Sequence, residues 1–247
     1  MTRSLLFLFT LVAFTSAVAS SVKVELPSEQ LVIDYTAPVR LERAIVDTIL
    51  HSENNAPFSY PLNNALFNID KQRVANNKKQ AVLNLLDKLK KQDSALYESL
   101  GILYEQVKTW PVGYRENLAL DLDFIRLTPS ANPMLSGHYQ FEYLDRPKTI
   151  NIEGLVFSTS RPDAKPDWTV KDYLSTSRVL SSASNSYAWV IYPDGNYKQV
   201  GFAYWNDENT PLPPGSSIFL GFNNPSTELS QLEQGIVSLI AWRRNYQ

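Results

Sequence analysis

The chain of 247 residues contains no cysteine. That excludes disulfides, thiolate metal sites and an acyl anchor on a cysteine, and leaves core packing to hold the fold. Histidine is almost as scarce. His51 and His138 are the full complement, far apart and outside any paired-ligand spacing. The Gly-x-Ser-x-Gly, phosphate-loop and His-Glu-x-x-His patterns are missing as well. Gly215-Ser216-Ser217 follows two prolines and leads into a strand, so it reads as a turn rather than a nucleophile site. No metal or cofactor is expected. Charge of one sign is lacking too. Lys and Arg number 23 against 25 Asp and Glu, a formal net charge of −2. A nucleic-acid surface needs a concentrated positive stripe, and none is present. The lysines and arginine at 71, 73, 78, 79, 88, 90 and 91 have helical spacing and read as the solvated face of a helix.

Long apolar runs are confined to the start. Arg3, the ten-residue stretch Leu5 to Phe14 and Ala17-Val18-Ala19 have the layout of a secretory signal peptide. The apolar stretch is too short to span a bilayer comfortably. The expectation is a signal peptide over 1–19, cleavage after Ala19, a periplasmic product and no membrane span after cleavage.

What is present is a run of short elements. Val22 to Leu26 and Leu31 to Tyr35 alternate as a strand pair around a Pro27-Ser28-Glu29 turn. Apolar residues at 41, 45, 46, 49 and 50 predict a helix. The stretch Ser52 to Asn68, rich in Asn and Pro, reads as an ordered loop. Two amphipathic stripes follow, one over Val74, Val82, Leu85, Leu86 and Leu89, the other over Leu96, Leu100, Leu103, Tyr104 and Val107. They predict a helical hairpin split at Asp93-Ser94, packing on itself and on a neighbouring sheet. Leu118, Leu120 and Leu122 alternate with polar residues, which is strand spacing, continued through Leu127. Strands are predicted at 138–143 and 149–156, and a short helix at 170–174. Three more strands lie in Ser186 to Ile191, around Ala203 to Asn206, and in Ser216 to Leu220. The final helix is capped by Ser226 or Thr227. It carries Glu228 and Glu233 toward its start, Arg243-Arg244 at its end, and an apolar face over Leu229, Leu232, Ile236, Leu239 and Ile240.

The order strand, strand, helix, then strands, occurs twice. The fold class is therefore α+β, with two β-grasp-like domains over 20–146 and 147–223. A helical hairpin is inserted in the first at about 70–109, and an amphipathic helix closes the chain at 226–244.

One block of sequence has a distinctive wording. Ser186-Tyr187-Ala188-Trp189-Val190-Ile191-Tyr192-Pro193-Asp194-Gly195, then Ala203-Tyr204-Trp205-Asn206 and Pro214-Gly215-Ser216, resembles the capsule-biosynthesis GfcC family of Gram-negative bacteria. So does Arg115 followed by Asp121-Leu122-Asp123-Phe124-Ile125-Arg126, with Asn132-Pro133 and Gly137-His138-Tyr139 after it. The resemblance implies a periplasmic, non-enzymatic accessory protein for assembly or export of a surface polysaccharide. It implies two β-grasp domains like those of outer-membrane polysaccharide export proteins, a helical insertion, and a last helix packed on the second domain. It also implies a functional arginine, which by position is Arg115. The chain departs from the family's pattern at two points. Gly113-Tyr114-Arg115 stands where Thr-Gly-Arg is usual, and Asp121-Leu122-Asp123 where Asp-Pro-Asp is usual.

The candidate binding residues are Arg115, Tyr114, Asp121, Asp123, Arg126, Tyr187, Trp189 and Trp205. Arginines bind uronate or phosphate groups by paired hydrogen bonds, and aromatic rings stack on sugars. No catalytic residue is assigned. The expected partner is an outer-membrane polysaccharide export protein, the polysaccharide itself, or both. The alternative is a periplasmic glycan-modifying hydrolase built on Asp121 and Asp123, which on a strand would share one face.

Overall fold

Val22, Val24 and Leu26 alternate with Lys23 and Glu25, so one face of β1 (Val22–Leu26) is buried and the other half-exposed. A single 3-10 turn over Pro27–Glu29 leads to β2 (Leu31–Tyr35), which lies antiparallel with Tyr35 opposite Val22. The computed structural model describes residues 21–52, 60–143 and 145–244. The expected signal peptide and its cleavage site fall outside these residues, as does the middle of the Ser52 to Asn68 stretch.

After β3 (Val39–Arg40), helix α1 (Leu41–His51) turns Leu41, Ala44 and Ile45 inward. β4 (Ala65–Asn68) corrects the loop reading of this region. All of its residues are buried, and it pairs antiparallel with a later strand. Burial of Leu66 and Phe67 outweighs the turn-forming neighbours Asn63 and Asn64. The two stripes form α2 (Gln72–Gln92) and α3 (Tyr97–Thr109) as predicted.

The predicted strand over 118–127 is absent. In its place stand an irregular segment and α4 (Leu122–Leu127). The Asp121 carboxylate accepts hydrogen bonds from the Asp123 and Phe124 amides, and this N-cap overrides the Leu alternation. β5 (Met134–Leu135) pairs with β3, and β6 (Gly137–Glu142) completes the first sheet. Its strand order is β2-β1-β6-β4, with β1 and β6 parallel at the centre.

The second sheet holds β7 (Asn151–Gly154), β8 (Tyr187–Ile191), β9 (Tyr197–Gly201) and β10 (Ser217–Leu220) in the order β7-β10-β8-β9. β7 and β10 are parallel and the other pairs antiparallel. Gly154 stands opposite Leu220 in the β7–β10 pair. Its φ is +98°, and a side chain there would collide with the Leu220 carbonyl. Between β7 and β8 lies α5 (Val170–Ser175), where the Asp172 carboxylate accepts from the Thr169 amide and hydroxyl. The chain ends on α6 (Thr227–Ala241), with the Ser226 hydroxyl accepting from the Leu229 amide.

The class is α+β. The helical hairpin interrupts the chain between β4 and β6 of the first sheet, yet its apolar faces join the other core. Leu86, Leu100, Leu103 and Val107 cluster with Ile152, Val190, Phe219, Leu232 and Ile236. α6 lies in that core, with Leu232, Ile236, Val237 and Leu239 fully enclosed. Each such side chain stabilises by about 1.5–3 kcal/mol. The first sheet keeps a separate core with α1, built on Val24, Leu41, Ile45 and Phe141. No helix among the described residues is long and apolar enough to cross a membrane.

Candidate functional site

The segment Trp110 to Glu116 leaves α3 and passes between β4 and the tail of α6. On one side the Glu116 amide donates to the Leu66 carbonyl and the Asn68 amide to the Tyr114 carbonyl, both at 2.9 Å. On the other the Gly113 amide donates to Trp242 and the Arg244 amide to Pro111. Gly113 is there for space. A Cβ would lie 2.7 Å from the Phe67 ring and 2.9 Å from the Arg244 side chain, and the backbone is not left-handed. The shifted glycine therefore serves close packing.

Arg115 leads off this segment into the seam between the two sheets. Its Nη2 donates to the carbonyls of Asn64 at 3.0 Å and Pro193 at 2.7 Å, and Nη1 to that of Ala241 at 3.4 Å. The Pro193-Asp194-Gly195 turn closes over the guanidinium. Gly195 has φ +89°, and a Cβ there would meet the Arg115 guanidinium at 3.2 Å. Burial lowers the Arg115 pKa to about 10, against the opposing pull of Asp194 and Glu142. The group stays cationic at neutral pH. Beside it is a polar cavity of about 50 Å³ reached by Arg243, Asn151 and Ser217, with room for a water rather than a sugar.

The two arginines after α6 reach opposite sheets. Arg243 makes a bidentate pair with Glu153 on β7, both contacts at 2.8 Å. Arg244 pairs with Glu142 on β6 at 2.8 Å and bonds the Gln140 side chain. The sequence assigned them to the helix dipole, but both act beyond the helix end, as ties between the sheets. Tyr114 is packed on the Trp242 ring at 4.8 Å, with Lys71 Nζ 4.6 Å from its own ring.

The other candidates lie elsewhere. Asp121 is spent as the α4 cap, and Asp123 stands in the first turn of that helix, so the same-face strand geometry of a carboxylate pair does not exist. Arg126 pairs with Glu42 at 3.0 Å rather than with these acids. Trp189 donates through Nε1 to the buried Glu233 carboxylate at 3.1 Å and meets Tyr197 edge-on. Among the described residues no group of three His, Asp or Glu side chains is placed to hold a metal ion.

Tyr187 and Trp205 are surface residues. Tyr204, a further aromatic candidate for stacking on sugars, is 93% exposed, Trp205 is 72% and Tyr187 is 46%. The turn carrying the first two is braced. Asn206 accepts from the Ala203 amide through Oδ1 at 2.9 Å, and donates through Nδ2 to the Ser186 carbonyl at 3.1 Å. Gly201 lies against it, where any side chain would strike the Asn206 carbonyl. Two large rings are thus held out into solvent on a fixed backbone. Adjacency of Tyr and Trp before an Asn was the available sequence signal.

Two family models match the chain. Residues 18–145 match the family model described as capsule biosynthesis GfcC, N-terminal, and residues 160–244 the one described as capsule biosynthesis GfcC C-terminal. A relative from Escherichia coli (strain K12), named "Uncharacterized protein YjbG", is 36% identical over 141 residues. That alignment covers 56% of this chain and 58% of the relative. With both halves matched, the chain belongs to the capsule biosynthesis GfcC family.

Proposed function

We propose that this protein is a non-enzymatic periplasmic accessory in the assembly or export of a surface polysaccharide, and that it docks on an outer-membrane polysaccharide export protein. The family supports the pathway. The observation that carries the docking role is the Tyr204-Trp205 turn. Exposed Trp and Tyr on a rigid support are what concentrate binding energy at protein interfaces, because little conformational freedom is lost when they are covered. Arg115, by contrast, has its guanidinium committed to three carbonyls inside the protein. Its part in function is to set the two sheets relative to each other.

Both sheets are read as β-grasp-like, forming domains over 20–146 and 147–223. In support, each has its first and last strands side by side and parallel, β1 with β6 and β7 with β10. The hydrolase alternative has lost its geometric basis with the strand that would have carried Asp121 and Asp123.

The test is a Tyr204→Ala, Trp205→Ala double variant as the only copy in a capsule-forming strain. Both side chains are largely exposed, so the protein level and melting temperature stay at the wild-type values. Surface polysaccharide falls. Normal polysaccharide at normal protein level would overturn the docking role.

A further inference from the structure

α3 buries one side and leaves the other bare. Leu100, Leu103 and Val107 enter the core, while Glu98, Gly101, Ile102, Glu105 and Thr109 recur at the three- and four-residue spacing of a single outer face. Facing them is the segment that follows β7, Val156 to Thr159. Between the two runs an open groove of about 660 Å³. The face from 98 to 109 is about 16 Å long at the helical rise per residue. Its walls are fixed to each other. The Gln106 side chain donates to the Gly154 carbonyl at 2.8 Å and accepts from the Gly154 amide at 3.0 Å, so helix and strand cannot slide apart.

Gly101 is the informative residue. Glycine inside a helix is unfavourable, and the fold normally supplies a reason for it. Every other glycine in this chain has one, a left-handed φ or a neighbour that a Cβ would crowd. At Gly101 a Cβ would meet nothing within 4 Å. Packing does not require the glycine. An unobstructed groove floor does.

The lining indicates what the floor is kept clear for. Tyr97 and Phe157 are half-exposed rings on opposite walls, at 58% and 50%. Hydroxyls come from Thr109, Ser158 and Thr159. Among the charges, Glu105 is paired with Lys108 at 3.3 Å, and Lys90 rests 4.8 Å from the Tyr97 ring. Glu98 has no partner among the described residues, and a carboxylate can only accept. Rings suit the apolar face of a pyranose, and the carboxylate and hydroxyls suit its hydroxyl rim. The nearby cations are all engaged, Lys90 on Tyr97, Lys108 on Glu105 and Arg178 on Phe157 at 4.1 Å from its ring, so none is free for the carboxylate of an acidic sugar. We propose that the α3 groove binds a neutral hexose segment of a polysaccharide chain. This rests on the pathway reading above, but uses a surface distinct from the Tyr204-Trp205 turn.

The experiment titrates purified full-length protein, labelled for amide NMR, with maltotetraose, cellotetraose and mannotetraose, and with tetragalacturonate as the acidic comparison. At least one neutral tetrasaccharide shifts the α3 and 156–159 amides saturably, and tetragalacturonate does not. Gly101→Trp fills the groove at a position with free space, so it keeps the wild-type spectrum elsewhere and abolishes binding. Phe157→Ala weakens binding about tenfold. The proposal is overturned if no neutral tetrasaccharide shifts these amides, if Gly101→Trp binds as well as wild type, or if tetragalacturonate binds in preference. Such failure leaves the docking role intact, since that role is read from polysaccharide levels in cells carrying the Tyr204 and Trp205 changes.

Discussion

Arg115 donates to carbonyls at positions 64, 193 and 241, so removing its guanidinium strands three acceptors from three distant parts of the chain. Arg115→Met should cost about 3 kcal/mol, read as a lowered denaturation midpoint, and any loss of polysaccharide should follow the loss of folded protein. A functional defect at unchanged stability would show instead that the side chain contacts a ligand. Family wording singled it out in the sequence, but its surroundings were not legible, because no local pattern announces which remote carbonyls will converge on a cation. Glu233 is a second buried charge. Burial pushes its carboxyl pKa up, against hydrogen bonds from the Phe222 amide and Trp189 Nε1. The folded state therefore holds this proton more tightly than the unfolded chain. Its stabilising contribution is complete in acid and fades as pH rises past the ordinary value of 4.5. Glu233→Gln has no such loss, so its melting temperature relative to wild type should climb between about pH 4 and about pH 7. A constant difference would mean that the carboxyl titrates normally.

Elements were legible where period and burial agree. α3 and α6 carry 3.6-residue stripes that pack as read, α2 does so from Val82 onward while Val74 stays exposed, and β1 alternates as read. β4 and α4 were missed where local and global signals conflict, and the strand read around Ala203 to Asn206 lies earlier, at Tyr197–Gly201. β4 hides among asparagines because its pairing with β6 is formed over 70 residues away. α4 looks like strand because Leu118, Leu120 and Leu122 alternate, whereas the Asp121 cap decides the outcome. Asp121→Ala should lower stability by about 1 kcal/mol in thermal melts, the usual worth of an N-cap. Helix α6 packs on α2 at Gly235, where a Cβ would sit 2.9 Å from Val82 Cγ2. Gly235→Leu should force the helices apart and cost about 1–3 kcal/mol. Gly101→Ala should do the reverse, adding about 0.5–1 kcal/mol of helix stability in the same assay, since the space beside it is open.

At the scale of the molecule, two separate cores are held together by the Trp110 to Glu116 segment and the three arginines along the seam. The segment pairs with β4 on one side and with residues 242–244 on the other. Arg243 then reaches Glu153 in the second sheet and Arg244 reaches Glu142 in the first. The joint leaves little internal space. The surface features with spare binding capacity lie away from it, at the α3 groove and at the Tyr204-Trp205 turn. The most direct measurement places a photo-activated crosslinking residue at position 205 in living, capsule-forming cells and identifies the adduct by mass spectrometry. With Trp205 on the docking surface, the expected adduct is with an outer-membrane polysaccharide export protein. Polysaccharide export that continues normally with no such adduct at 205 would contradict it.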